Sequence, residues 1–266
     1  MGSSDARNIL VQFRRIEMGF LDAYSIRARL FPAVLAIAPA IALATVAVTW
    51  NHLSLPQVVT TLAVGVLFVG FSDIARRFGK AAEKEMFKDT GGRPTITLLQ
   101  YSDRTFAEAT KARYRNFLAE AIGESPLSIE DEKRDPNASA GFYERCGNWL
   151  RERTRDTTKF KILFEENKTY GFRRNLFGVK WPALTLNVIV VLICLAILSR
   201  HLDVPNDPSL MQVFTVLIIA AIHAGYFYFF VGRKAVVEAS DQYARQLILS
   251  CETLMSEATI AAVSSK

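Results

Sequence analysis

The chain has 266 residues, of which half are hydrophobic and 22% are charged, and its net charge is +6. Four stretches carry almost no charge, and densely charged segments lie between them. This segregation excludes a uniform water-soluble globule and indicates a membrane protein with a soluble part. The three cysteines lie far apart and form no CxxC pair, which argues against a disulfide framework and a zinc site.

Residues 1–29 predict a cytosolic amphipathic arm, because large apolar residues recur there every three or four positions. Residues 30–74 predict a transmembrane hairpin with spans at 30–50 and 57–74. The first span holds about 20 uncharged residues, enough at about 1.5 Å per residue to cross a bilayer core of about 30 Å. Pro32 and Pro39 lie inside the first span, and the carbonyl groups that they free need partners from neighbouring helices.

Residues 75–180 predict a cytosolic helical domain. The second span continues into it as a helix through Met86, since apolar residues keep a spacing of four. The rest of the domain predicts a short strand or buried linker at 96–100 and a mobile acidic loop at 124–139. Three further helices are predicted, at 106–122, 140–155 and 158–177.

Residues 181–231 predict a second transmembrane hairpin, with spans at 182–199 and 210–231, and residues 232–266 predict a cytosolic C-terminal helix. Of the 32 basic residues, 22 lie in the segment 76–180. Because Lys and Arg are retained on the cytosolic side, both termini and the central domain are expected in the cytosol. The sequence therefore predicts an all-α, four-span membrane protein.

Polar residues inside spans are costly and often functional, and three of them are candidates. Asp73 ends the second span beside Arg76 and Arg77, so it predicts an interfacial carboxylate with a nearby partner. Asn187 and His223 lie within the third and fourth spans. They predict either hydrogen bonds between helices or a pore-lining, proton-sensing pair.

Six arginines of the central segment predict a basic cytosolic surface interleaved with Tyr and Phe. They are Arg113, Arg115, Arg151, Arg155, Arg173 and Arg174. Nucleic acid would bind such a surface. Contact with anionic lipid and the positive-inside bias explain the same charges, so nucleic acid is the less favoured partner.

Catalytic motifs are missing from the sequence. Gly91-Gly92 is followed by Arg93-Pro94, so no phosphate-binding glycine loop is formed, and neither HExxH nor GxSxG occurs. We therefore predict no catalytic residue, no metal and no cofactor.

Three segments resemble a family of uncharacterised bacterial inner-membrane proteins: GGRPTITLLQ at 91–100, TKARYRNFL at 110–118 and LFEENKTYGFRRNLFG at 163–178. The resemblance covers the central domain and its flanking spans. It implies a bacterial inner membrane and a shared fold. The family has no established activity, so the resemblance supplies no site residues.

The leading functional hypothesis is a non-enzymatic membrane effector or sensor that forms a homo-oligomer in the lipid bilayer. Its cytosolic domain would receive a protein or nucleotide signal, and its spans would act on the membrane or recruit a partner. Phage-defence effectors share this layout, which is an analogy only. The alternatives are a channel or transporter subunit built on Asn187, His223 and Asp73, and a membrane enzyme with a site around Glu165, Glu166, Tyr170 and Arg173.

Overall fold

A computed structural model describes residues 23–47, 55–88, 92–201 and 208–264. These residues form helices joined by turns, and no strand occurs among them, so the prediction of an all-α protein is confirmed. Most of the predicted N-terminal arm lies outside the described residues.

The helices follow one another along the chain with short connections. In chain order they are α1 (Ala23–Ser25), a π-helix (Ile26–Leu30), α2 (Phe31–Ala47), α3 (Leu55–Met86), α4 (Pro94–Thr97), α5 (Glu108–Ala121), α6 (Ile129–Arg134), α7 (Pro136–Arg153), α8 (Lys161–Gly178), α9 (Lys180–His201), α10 (Pro208–Phe229) and α11 (Arg233–Ser264).

Five of the described helical segments are long and apolar enough to cross a membrane. They are Ala23–Val46, Val58–Met86, Lys180–Arg200, Leu210–Phe229 and Arg233–Ser264. The first four overlap the stretches that the sequence predicts as spans. The fifth is α11, which the sequence assigns to a cytosolic tail. A multi-pass membrane protein follows from these lengths and compositions.

The chain divides into two compact units. The first comprises residues 1–83 and 171–236, and its packed centre is formed by α2, α9 and α10, each of which contacts the other two. Its buried core is rich in small side chains, including Ala33, Ala36 and Ala183. Small residues let helix backbones approach closely, which is how helices associate in lipid.

The second unit comprises residues 84–170 and 237–266. Its core is built from large apolar side chains on α5, α7, α8 and α11. Tyr114, Leu118, Tyr143, Leu150 and Leu247 are each no more than 1% exposed. The core of this unit therefore consists mainly of large side chains, in contrast to the small side chains in the core of the first unit.

Two sequence predictions about the second unit need correction. Of the two alternatives for the segment 96–100, the strand is wrong and the buried linker is correct: Pro94 opens the short helix α4, and a turn follows, with Ile96 and Leu99 buried. The segment 124–139 is not a continuous loop, because it contains α6 and the start of α7. Ser128 and Asp131 cap α6 reciprocally through side chain and backbone, which fixes where that helix begins.

The prediction of an uninterrupted helix beyond the second apolar stretch is confirmed, since α3 runs from Leu55 to Met86. A similar near-continuity joins α8 to α9. Only Val179 separates them, and the helical hydrogen bonds persist across it, from Val179 N to Asn175 O and from Ala183 N to Val179 O.

Candidate functional site

Two glycines bring α3 and α8 into backbone contact within the first unit. A Cβ atom added to Gly178 would lie 2.8 Å from the Cα atom of Gly79, and a Cβ added to Gly79 would lie 3.0 Å from the carbonyl oxygen of Arg174. Real Cβ atoms essentially never approach another heavy atom to less than 3.0 Å, and a distance of 3.0 Å is tighter than nine in ten of their contacts. Gly79 follows shortly after the apolar part of α3, so this crossing holds that helix just where its sequence becomes charged.

An ion pair lies one helical turn from this crossing. The Arg174 guanidinium donates to the Glu83 carboxylate over 2.9 Å, and both side chains are about nine-tenths buried. Breaking a buried ion pair by removal of one partner is strongly destabilising in general. We call Gly79, Glu83, Arg174 and Gly178 the helix clamp.

The π-helix Ile26–Leu30 packs on the same stretch of α8. The side-chain amide of Asn175 donates to the carbonyl oxygen of Ala28 over 2.7 Å, and Asn175 is only 1% exposed. One turn earlier, a Cβ atom on Gly171 would lie 2.9 Å from the Ala28 side chain. π-Helical turns often occur at functional sites, because the widened backbone redirects carbonyl groups.

Asn187 and His223, both predicted from the sequence, contact each other. The Nδ2 atom of Asn187 donates to the carbonyl oxygen of Ala220 over 2.8 Å and lies 2.7 Å from His223 Nδ1. Because Nδ2 is a donor, Nδ1 of the ring accepts, and the neutral imidazole carries its proton on Nε2. These two buried residues form a polar cluster between α9 and α10.

The Nε2 atom of His223 has no hydrogen-bond partner among the residues that the structure describes. The backbone of Leu35 and Ala36, on α2, lies close to the ring. Pro39 lies inside α2 and has no N–H, so the carbonyl group of Leu35, four residues earlier, cannot accept its usual helical bond. The cluster therefore faces the part of α2 where a proline frees a carbonyl group.

Asp73, the third intramembrane candidate, forms an ion pair with Arg77 instead. The Arg77 Nε atom lies 2.8 Å from the Asp73 carboxylate, one helical turn along α3. Both side chains are more than half exposed. The structure thus brings Asn187 and His223 together and gives Asp73 a separate partner.

The six candidate arginines differ widely in their surroundings. Arg115 is 2% exposed, so its side chain does not lie at the surface. Arg113 pairs with Glu252 and Arg155 with Glu152. Arg173 lies near the Phe172 ring, and Arg174 belongs to the helix clamp. Arg151 bonds only neutral groups.

Arg115 belongs to a buried cationic network that the sequence reasoning missed. Its guanidinium donates to the carbonyl oxygen of Leu99 over 3.0 Å, pairs with Glu108 and covers the Tyr101 ring at 3.6 Å. Lys111 is fully buried one turn earlier on α5 and also pairs with Glu108. The hydrogen bond from Arg115 holds the pKa of Glu108 below its ordinary value of 4.5.

Two of the four residues named in the enzyme hypothesis contact residues outside that group. Glu165 pairs with Lys168 over 2.6 Å on the same helix, and the Tyr170 ring stacks on Tyr243 with centroids 5.9 Å apart. Among the described residues, no group of three or more His, Cys, Asp or Glu could hold a metal ion.

Comparison with protein-family models, with curated proteins and with solved structures found no match.

Proposed function

We propose that the chain is a four-span protein of the bacterial inner membrane, with both termini and residues 75–180 in the cytosol. The distribution of basic residues supports this orientation, since 22 of 32 lie between residues 76 and 180. The four spans are the first four of the helices long enough to cross a bilayer.

The contacts of α11 support its assignment to the cytosol although it is long and apolar enough to span. Its Leu247 and Cys251 are buried in the core of the second unit. Glu252 accepts a hydrogen bond from the Tyr114 hydroxyl over 2.7 Å, and Glu257 pairs with Lys159. Carboxylates are expensive at the centre of a bilayer, so these two residues favour a helix of the soluble bundle.

In this proposal the protein works without catalysis, as an oligomeric sensor and effector. A signal received by the cytosolic residues would displace the spans. The displaced spans would then act on the membrane or recruit a partner. The helix clamp is the observation that carries the proposal. It fixes α3 and α8 together immediately beyond an apolar segment, so that a displacement of α8 displaces α3 as well.

A charge exchange at the clamp tests this coupling. We expect overproduction of the wild-type chain in a bacterial host to admit a membrane-impermeant dye, since high concentration favours assembly. Glu83→Arg and Arg174→Glu should each abolish dye entry, because each leaves two like charges buried together. The double variant should restore at least half of the entry. Native mass of the detergent-solubilised particle would report whether these variants still assemble.

The same assay separates the channel alternative from the effector. That alternative is supported by the Nε2 atom of His223, which has no hydrogen-bond partner among the described residues. His223→Ala would abolish entry if the ring lines a pore, and would leave it nearly unchanged if the ring only joins helices. Ser199→Ala is the matched control, because its hydroxyl bonds only the carbonyl group of Ala196 on its own helix. Dye entry that is unaffected by the single clamp variants would refute the coupling.

A further inference from the structure

Arg151 is the side chain on which this inference depends. It is partly buried on α7, and it donates to Asn148 Oδ1 over 2.6 Å and to Thr95 Oγ1 over 3.1 Å. A guanidinium has five N–H donors and stays charged at all ordinary pH values. Within the described part of the chain, no carboxylate lies within 4 Å of it, whereas Arg113 and Arg155 each have one.

Arg151 lines a cavity of about 180 Å³ in the second unit. The lining combines polar and apolar side chains. It comprises Arg151, Thr154, Thr157, Leu163, Phe164, Asn167 and Tyr243. No acidic residue takes part, so this cavity carries a positive charge that the protein itself does not balance.

The other lining groups complete a site for an anion. Thr157 and Asn167 offer a hydroxyl and a side-chain amide, and among the described residues neither side chain has a hydrogen-bond partner. A partly buried cation without a counter-charge is costly, and a bound anion would remove that cost. A second cavity, beside Trp149, has Glu120 and Glu257 as well as Arg153 in its lining, so its positive charge is balanced by carboxylates.

We propose that this cavity binds a small oxyanion of the phosphate type through Arg151, Thr157 and Asn167. Arginine suits phosphate because its planar fork can donate two parallel hydrogen bonds. The volume restricts the ligand to a phosphate group with at most a small organic substituent, since pockets for drug-sized ligands occupy about 300–1,000 Å³.

The site would give the proposed sensor its signal, and that role rests on the proposed function. The lining residues come from α7, α8, α11 and the α7–α8 connection. A ligand held between Arg151 on α7 and Asn167 on α8 would therefore pull on α8, the helix that carries Arg174 and Gly178 of the clamp.

Calorimetric titration of the full-length chain with inorganic phosphate tests the site. The protein would be held in a maltoside detergent, which has no phosphate group, and chloride would keep the ionic strength constant because screening alone changes weak ionic binding. We expect saturable binding to the wild type. Arg151→Gln should weaken it by about tenfold or more, because a charged donor is lost. Thr157→Val, at an exposed lining position, should weaken it by a smaller factor.

Arg155→Gln is the matched control, because Arg155 is close in sequence, does not line the cavity and pairs with Glu152. It should bind phosphate within about twofold of wild type, since the charge it removes lies on the exposed surface.

Absence of saturable binding to the wild type would overturn the proposal. So would equal losses in Arg151→Gln and Arg155→Gln, or wild-type affinity in both Arg151→Gln and Thr157→Val. Normal binding in a chain that never admits dye would overturn the proposed function alone, and dye entry without phosphate binding would overturn the site alone.

Discussion

At the scale of residues, burial separates side chains that look alike in the sequence. Arg113 and Arg115 are two positions apart on α5, yet Arg113 is more than half exposed and Arg115 is buried. The spacing of residues along α5 already indicates that the Arg115 side chain is buried. Lys111, Arg115 and Leu118 follow one another at helical intervals and share the face of Tyr114, which is buried in the core of the second unit. The sequence could not show that the Leu99 carbonyl group and the Glu108 carboxylate would bind these buried cationic side chains.

A pH titration tests the buried cationic network. Because Arg115 and Lys111 hold the pKa of Glu108 below 4.5, the ionised carboxylate stabilises the fold at pH values above 4.5. That contribution disappears as the pH falls through the lowered pKa. Glu108→Gln should therefore have a lower unfolding midpoint at pH 7 and should lose less stability than wild type between pH 7 and pH 3.5.

The size of this effect is limited by the exposure of the carboxylate, which is 58%. After solvent screening we expect a difference of about 1 kcal/mol or less at neutral pH. Circular dichroism at 222 nm during heating in detergent measures the midpoints. Glu130→Gln, exposed at the start of α6, is the control and should follow the wild type at every pH. Parallel curves for wild type and Glu108→Gln would contradict the account.

At the scale of elements, most helices could be predicted and their crossings could not. The long helix α3 and the helices of the second unit follow from apolar spacing. The capping pair Ser128 and Asp131 was a readable signal inside the segment taken for a loop. The Gly79–Gly178 contact, by contrast, joins residues 99 positions apart, and a helical glycine alone does not say which helix it meets.

A glycine substitution tests the crossing. Gly178→Ala places a Cβ atom 2.8 Å from the Gly79 Cα atom, so the helices must separate, and overpacking of this kind costs about 1–3 kcal/mol. We expect a lower midpoint of thermal unfolding in maltoside. Gly65→Ala is the matched control on α3, since its Cβ atom would meet nothing within 4 Å. It should leave the midpoint unchanged or raise it slightly, because alanine favours helix. Equal shifts in the two variants would show that the crossing is not tight.

At the scale of the whole molecule, the sequence and the structure agree on an all-α protein with apolar helices of membrane-spanning length. They differ in the number of such helices, because the sequence predicts four spans and α11 meets the same criterion as those four. Hydropathy alone cannot separate such a helix from a span. The polar contacts of Glu252 and Glu257 are what favour a soluble location, and those contacts depend on residues distant in the sequence.

The central claim is a four-span topology that leaves residues 75–180 and the C-terminal helix on the same, cytosolic side. Single cysteines at Thr157 and Ser264, in a background with the three native cysteines replaced by serine or alanine, would be labelled in intact spheroplasts with a membrane-impermeant maleimide. The account predicts that neither position reacts until the membrane is opened, whereas a cysteine at Asn51 reacts at once. Labelling of Ser264→Cys but not of Thr157→Cys in intact spheroplasts would make α11 a fifth span and contradict the account.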